Sequence, residues 1–165
     1  MILVTHAITG SVAALLFPTN PSLGLAVALA SHFVTDAIPH WHYPLRSLER
    51  RPGNPLAERL HFGRDFWRDL LTIGSECAAG VILGGWLGYQ ASPDLVWLAG
   101  GGAVFGVLPD FMQLLYHLYP HGLLHRIQKF HKWVHASKHL DDQPFWGIGS
   151  QAVFVLLLIL FARTL

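Results

Sequence analysis

Apolar residues dominate five stretches of the chain, about 1–17, 21–38, 70–91, 95–117 and 145–162. Each approaches the ~17–25 residues an α-helix needs to cross a hydrocarbon core, so the pattern predicts about five transmembrane helices. The first two sit at the short end and call for tilt or a thinned bilayer. Pro18 and Pro21 around Thr19 and Asn20 predict a tight turn between them, and YQASPD at 89–94 predicts another. Pro39 disfavours helical geometry at Ile38 and ends the second helix there. Pro109 is expected to interrupt the fourth helix just before Asp110, beside the freed carbonyl of Phe105, which is tolerable at membrane depth only against protein or a wet cavity. The stretch LLHRIQKFHKWVHASKHL at 123–140 reads as an amphipathic interfacial helix, with Leu124, Ile127 and Val134 as its apolar contacts. The expected fold is all-α, a single membrane-embedded helical domain over 1–165.

Composition strengthens that picture. Hydrophobic residues make up 52% and charged residues only 13%, against about a quarter charged in ordinary soluble domains. The basic residues fall in two loops. Arg46, Arg50, Arg51, Arg59, Arg64 and Arg68 lie within 40–68, while Arg126, Lys129, Lys132 and Lys138 lie within 118–143. The positive-inside rule makes both loops cytoplasmic, which puts the N-terminus inside and the C-terminus outside. The opening apolar stretch lacks a basic n-region and a closely following A-x-A-like site, so it reads as a retained helix. A formal charge of +1 leaves no nucleic-acid footprint, and Cys77, the only cysteine, excludes a disulfide within the chain and a thiolate zinc site. The glycines of AGGGA at 99–103 and GG at 84–85 suit close helix packing, within the chain or between copies in a homo-oligomer.

The candidate chemistry comes from eleven histidines and a few acids inside the apolar stretches. His6, His32, Asp36, His40, Asp65, Asp69, Glu76, Asp110 and His117 all map to the inner end of their segments. Only the terminal Asp94 and Arg163 depart from that depth. His32 and Asp36, four apart, share a helical face, with His40 on the exit turn. Asp65, Asp69, Thr72 and Glu76 form one polar stripe on the third helix. A charged carboxylate in lipid costs roughly 2.5–3.5 kcal/mol on insertion scales, so it needs a partner. With no Lys or Arg inside the spans, one or two divalent cations would balance Asp36, Asp110 and Glu76 together, with imidazoles as neutral ligands. Mixed His/carboxylate shells suit zinc or manganese, and also iron or nickel. His131 and His135, again four apart, are placed to cap the site, and Arg126, Lys129 and Lys132 to hold an anionic group of a substrate.

Plainer roles compete for several of these. His42, His61, His121 and His139 read as ordinary loop histidines, and Asp65 as a solvated partner of Arg64 or Arg68. Glu76 would hydrogen-bond Ser150 or Gln151, and Asp94 would start a helix. His6, His32, Asp36 and Asp110, on three separate stretches at one depth, favour a functional origin. His40, Asp69, Glu76, His131 and His135 stand evenly between a catalytic and a structural role.

Four pieces, THAITG at 5–10, SHFVTDAIPH at 31–40, GVLPD at 106–110 and more loosely HRIQKFH at 125–131, resemble the membrane-bound metal-dependent hydrolases of bacteria and archaea. The resemblance implies a small multi-helix membrane protein in which His6, His32, Asp36 and Asp110 bind the metal. The expected activity is then hydrolysis of a phosphoester or lipid-like substrate at the cytoplasmic leaflet, with membrane lipids as surroundings. The alternative is a small divalent-metal or proton carrier using the same His/Asp cluster without chemistry. A metal that only fixes the fold is a third, weaker option.

Overall fold

The computed structural model describes residues 1–49, 54, 56–137 and 140–165. Arg50, Arg51, Lys138 and His139 lie outside the described residues. The chain is helical almost throughout, with α1 (Leu3–Leu15), α2 (Pro21–Asp36), α3 (Arg64–Ala91), α4 (Val96–Leu118), α5 (Gly122–Val134) and α6 (Pro144–Ala162). Local chemistry sets several ends. Asn20 caps α2 by accepting from the Leu23 N–H at 3.2 Å, and Pro21 occupies the first turn, where its missing N–H costs nothing. A 3₁₀ turn at Pro93–Leu95 joins α3 to α4, with Asp94 at the helix start as expected.

Three helices, α3, the 93–118 segment containing α4, and α6, are long and apolar enough to cross a membrane. The protein is therefore membrane-associated. The first two stretches give shorter helices of 13 and 16 residues, below the ~17 of a typical span. Exposed aromatic residues mark two levels on the bundle: Trp67, Trp133 and Trp146 at one end, Trp86, Tyr89 and Trp97 at the other. Trp67 and Trp86 on α3 are about 19 residues and hence about 28 Å apart, close to the ~30 Å of a hydrocarbon core. Tryptophan and tyrosine concentrate at such interfaces.

Helix α1 is the centre of the bundle, buried along nearly its whole length and packed by α4, α2, α3 and α6. Small residues make that possible. Gly10 of α1 lies against Gly102 and Gly106 of α4, and a Cβ at Gly10 or Gly106 would collide with backbone of the facing helix. Around this contact Ile8, Val12 and Leu87 pack with Ala162, while Leu3, Ala7, Ala103 and Val107 form a second apolar cluster. Gly84 and Gly88 serve the same purpose between α3 and its neighbours, so these glycines of the 84–103 region are spent within the chain.

Two expectations change. Helix α4 runs unbroken through Pro109. Proline removes one donor, and packing of the surrounding helices keeps the rest of the ladder intact. The 40–68 loop also contains a two-residue antiparallel ribbon, Leu48–Glu49 against Arg59–Leu60, too short to leave a periodic signal.

The glycine contact gives a direct test. Gly106→Ala should cost about 1–3 kcal/mol by overpacking, lowering the melting temperature of the detergent-solubilised protein by about 2–12 °C. Gly100→Ala, where a Cβ meets open space inside α4, should not lower it and should raise it by about 1–4 °C through the gain in helix propensity.

Candidate metal centre

The site is built where the end of α2 meets α1, α4 and α5. Asp36, the last residue of α2, is almost wholly buried, and imidazole nitrogens surround its carboxylate. His6 Nε2 of α1 is 3.1 Å from Oδ1, His32 Nε2 3.1 Å from Oδ2 and His131 Nε2 of α5 2.8 Å from Oδ2. Further out, His40 Nε2 is 3.6 Å from Oδ1 and His135 Nε2 3.8 Å from Oδ2. Asp110 Oδ1 of α4 lies 3.8 Å from His32 Nε2 and 4.0 Å from His131 Nε2. The amino group of Met1 is 3.4 Å from Asp36 Oδ1.

The hydrogen bonds behind the rings decide what these nitrogens offer. His32 Nδ1 lies 2.7 Å from the Gly106 carbonyl, which can only accept, so Nδ1 carries the proton. Gly106 belongs to the α4 turn just before Pro109. The Thr35 hydroxyl lies 3.1 Å from His6 Nδ1 and 3.0 and 2.9 Å from the Ser31 and His32 carbonyls; with its one proton given to a carbonyl it accepts from His6 Nδ1–H. In neutral rings of that tautomer both Nε2 atoms present lone pairs, and both face Asp36 oxygens at 3.1 Å. His6 Nε2 is fully buried and makes no hydrogen bond. Lone pair against carboxylate is repulsive, and a buried orphan nitrogen is costly. Protons on both rings would not resolve this cheaply. The His6 and His32 rings stack with centroids 4.0 Å apart, a distance at which two like charges repel by about 4 kcal/mol at an effective dielectric of ~20. One cation among the nitrogens and oxygens satisfies all of them.

The ligand atoms of His32, Asp36, Asp110 and His131 lie within 4.8 Å of one another, as do those of His40, His42 and His135. These buried His/Asp groups could hold a metal ion, and their nitrogen and oxygen donors fit a borderline divalent cation. Asp110 is the half-exposed member of its group, at 31% of its side chain, and marks the open side.

His40 and His42 reach the site from an extended segment bracketed by Pro39 and Pro44. Residues two apart on an extended chain share a face, so both rings turn inward while Trp41 packs on Gly147 of α6. The Gln151 side chain donates to the Trp41 carbonyl at 3.1 Å. Two backbone bonds latch the stretch after α5 onto this segment: Ala136 N–H to the Asp36 carbonyl at 2.8 Å, and Leu140 N–H to the His40 carbonyl at 3.0 Å. Burial holds the His40, His42 and His135 imidazoles below the usual histidine range, to about 3, about 4 and about 4. That direction favours the neutral form of all three rings at neutral pH.

The other sequence candidates lie elsewhere. Asp69 accepts from both the N–H and the hydroxyl of Ser47, at 2.8 and 2.7 Å, and so pins the loop to α3. Glu76 accepts from the Leu3 N–H at 3.2 Å and bonds Tyr43, rather than Ser150 or Gln151; Gln151 instead accepts from the Ile2 N–H. Asp65, Arg126 and Lys129 are exposed. Lys132 pairs with Glu58 at 3.2 Å. His61 pairs with Glu49, and His117 is half-buried and belongs to neither group. A cavity of about 410 Å³ lined by Glu58, Arg59, His61, Tyr116 and His117 contains no member of either group. His42 had read as an ordinary loop histidine, and Asp141 beside it had drawn no attention; the His-x-His spacing between two prolines was the available signal.

No family model, curated protein or solved structure matches the chain. The orientation of His6 gives a prediction of its own. Thr35→Val keeps the side-chain shape but removes the acceptor that sets the ring, and should weaken binding of added zinc or manganese about 10–100-fold in a competition titration. Unchanged affinity would remove His6 from the centre.

Proposed function

We propose that the protein is a membrane-embedded metal-dependent hydrolase acting on a phosphoester or lipid-like substrate at the cytoplasmic leaflet. The observation that carries this reading is the pair of buried Nε2 atoms of His6 and His32, each 3.1 Å from an Asp36 carboxylate oxygen. His6, His32, Asp36, Asp110 and His131 would hold the ion, with zinc or manganese the best match to their donors. When bound, such an ion supplies a Lewis acid and an activated water.

The chain's own residues account for the rest. Gly106 O and Thr35 Oγ1 fix the ring tautomers. The apolar walls of α1 and α4 exclude bulk water. Asp110, half-exposed, is the acid placed to exchange a proton with a substrate at the mouth. Arg126 and Lys129 stand exposed on α5 as partners for an anionic headgroup, whereas Lys132 is already engaged by Glu58. Both basic loops lie at the same end of the bundle as the cluster, and the positive-inside rule supports reading that end as cytoplasmic. The resemblance of the Thr-His, Ser-His-x3-Asp and Leu-Pro-Asp elements to membrane-bound metal-dependent hydrolases favours hydrolysis over simple storage. Against a carrier, the hydroxyls of Thr9 and Ser11 further along α1 donate to their own helix carbonyls and so are engaged within the helix.

Detergent-purified protein should contain a divalent d-block ion by elemental analysis and hydrolyse a member of a phosphoester and lipid panel when zinc or manganese is supplied. His32→Ala and Asp36→Ala should lose metal and activity together, by more than the ~10–100-fold typical of perturbing an outer-shell partner. Full metal content in both variants would sink the assignment. Metal that moves between the two sides of proteoliposomes, with no hydrolysis across the panel, would favour the carrier.

A further inference from the structure

The second histidine group has the construction of a ligand set. His40 Nδ1–H donates to the Ile38 carbonyl at 2.6 Å. His42 is held twice by Asp141: its backbone N–H donates to Oδ1 at 2.9 Å and its Nδ1–H to the same oxygen at 3.1 Å. With Nδ1–H of each ring engaged from behind, Nε2 is the atom each ring turns inward, and the two lie 2.8 Å apart. His135 Nε2 joins them, 3.3 Å from His42 Nε2. Three imidazoles with Nε2 atoms turned to one point, one of them oriented by a carboxylate, is how histidine ligands are usually supported from behind. Asp36 connects the two groups: Oδ1 faces His6 and His40, while Oδ2 faces His32, His131 and His135.

We infer that His40, His42 and His135 form a second divalent-cation site that shares Asp36 with the first, making the centre dinuclear with a bridging carboxylate. The inference rests on the first cluster holding a metal, as proposed above, but not on hydrolysis. Nitrogen-rich donors with one shared carboxylate select zinc, iron or nickel over magnesium or calcium, and manganese serves as a paramagnetic probe of the same site. The consequence for substrate is specific. A paired site would clamp the attacking and leaving oxygens of an in-line displacement, which suits a phosphoester substrate.

The test uses the full chain in detergent, stripped with chelator, reloaded with manganese and desalted. Wild type should retain two ions per chain, with spin-coupled manganese in the electron paramagnetic resonance spectrum. His42→Ala should retain one ion and show the uncoupled six-line signal. His32→Ala should also fall to one ion, from the other site. Asp141→Asn keeps every ligand in place and serves where His42→Ala does not fold; its affinity for the second ion should fall about 10–100-fold while the first is unchanged. One ion per wild-type chain, or two coupled ions in a folded His42→Ala variant, overturns the inference. Two coupled ions without any hydrolysis would support it while removing the hydrolase reading. One ion with hydrolysis would do the reverse.

Discussion

The Asp36 carboxylate lies where five imidazole rings bring their Nε2 atoms within 2.8–3.8 Å of its oxygens. Where His6 and His32 are neutral rings with the Nδ1 proton committed to the partner behind, lone pairs point at negative charge among buried groups. His131 Nε2, 2.8 Å from Oδ2, and the Met1 amino group, 3.4 Å from Oδ1, are hydrogen-bonding partners of the carboxylate. Among the described residues no Lys or Arg pairs with Asp36 or Asp110. Cationic charge at the centre turns the same set of contacts from repulsive to attractive, and a divalent ion does so for all of them at once.

The bundle is organised around holding that set in place. Helix α1 reaches the middle because Gly10, Gly102 and Gly106 let it touch α4 at backbone distance. The same approach delivers the Gly106 carbonyl to His32 and sets His6 beside it. Shortness of α1 and α2 follows the same logic, since both end or begin at the site instead of running the full thickness. On the other side, the latch of Ala136 and Leu140 onto the exit of α2 carries His135 and Asp141 to His40 and His42. Stability and ligand placement thus depend on the same few backbone contacts.

Much of this was legible in the sequence. Apolar runs predicted where α1, α2, α3, α4 and α6 lie, although only α3, the 93–118 segment and α6 are long and apolar enough to cross a membrane, and the basic 123–140 segment predicted α5, because both patterns are local. His6, His32, Asp36 and Asp110 stood out because ionisable groups are expensive in apolar surroundings wherever the chain takes them. What the pattern could not give was the partner of each acid. Asp69 and Glu76 looked like His32 and Asp36, yet Ser47, Leu3 and Tyr43 satisfy them, and those contacts come from residues distant in sequence. Pro109 was read as a break because the rule for isolated helices ignores support from neighbours. His42 and Asp141 were overlooked because an extended His-x-His segment carries no helical period, and its pairing with Asp141 spans 99 residues.

The central claim, that a cation sits among these nitrogens, is tested most directly by X-ray absorption at the metal edge of the detergent-purified protein. A shell of nitrogen and oxygen neighbours with the outer scattering of several imidazole rings, and no sulfur, is the expected spectrum. A hydrated, all-oxygen shell without imidazole scattering, or no metal edge above background after loading, would contradict it.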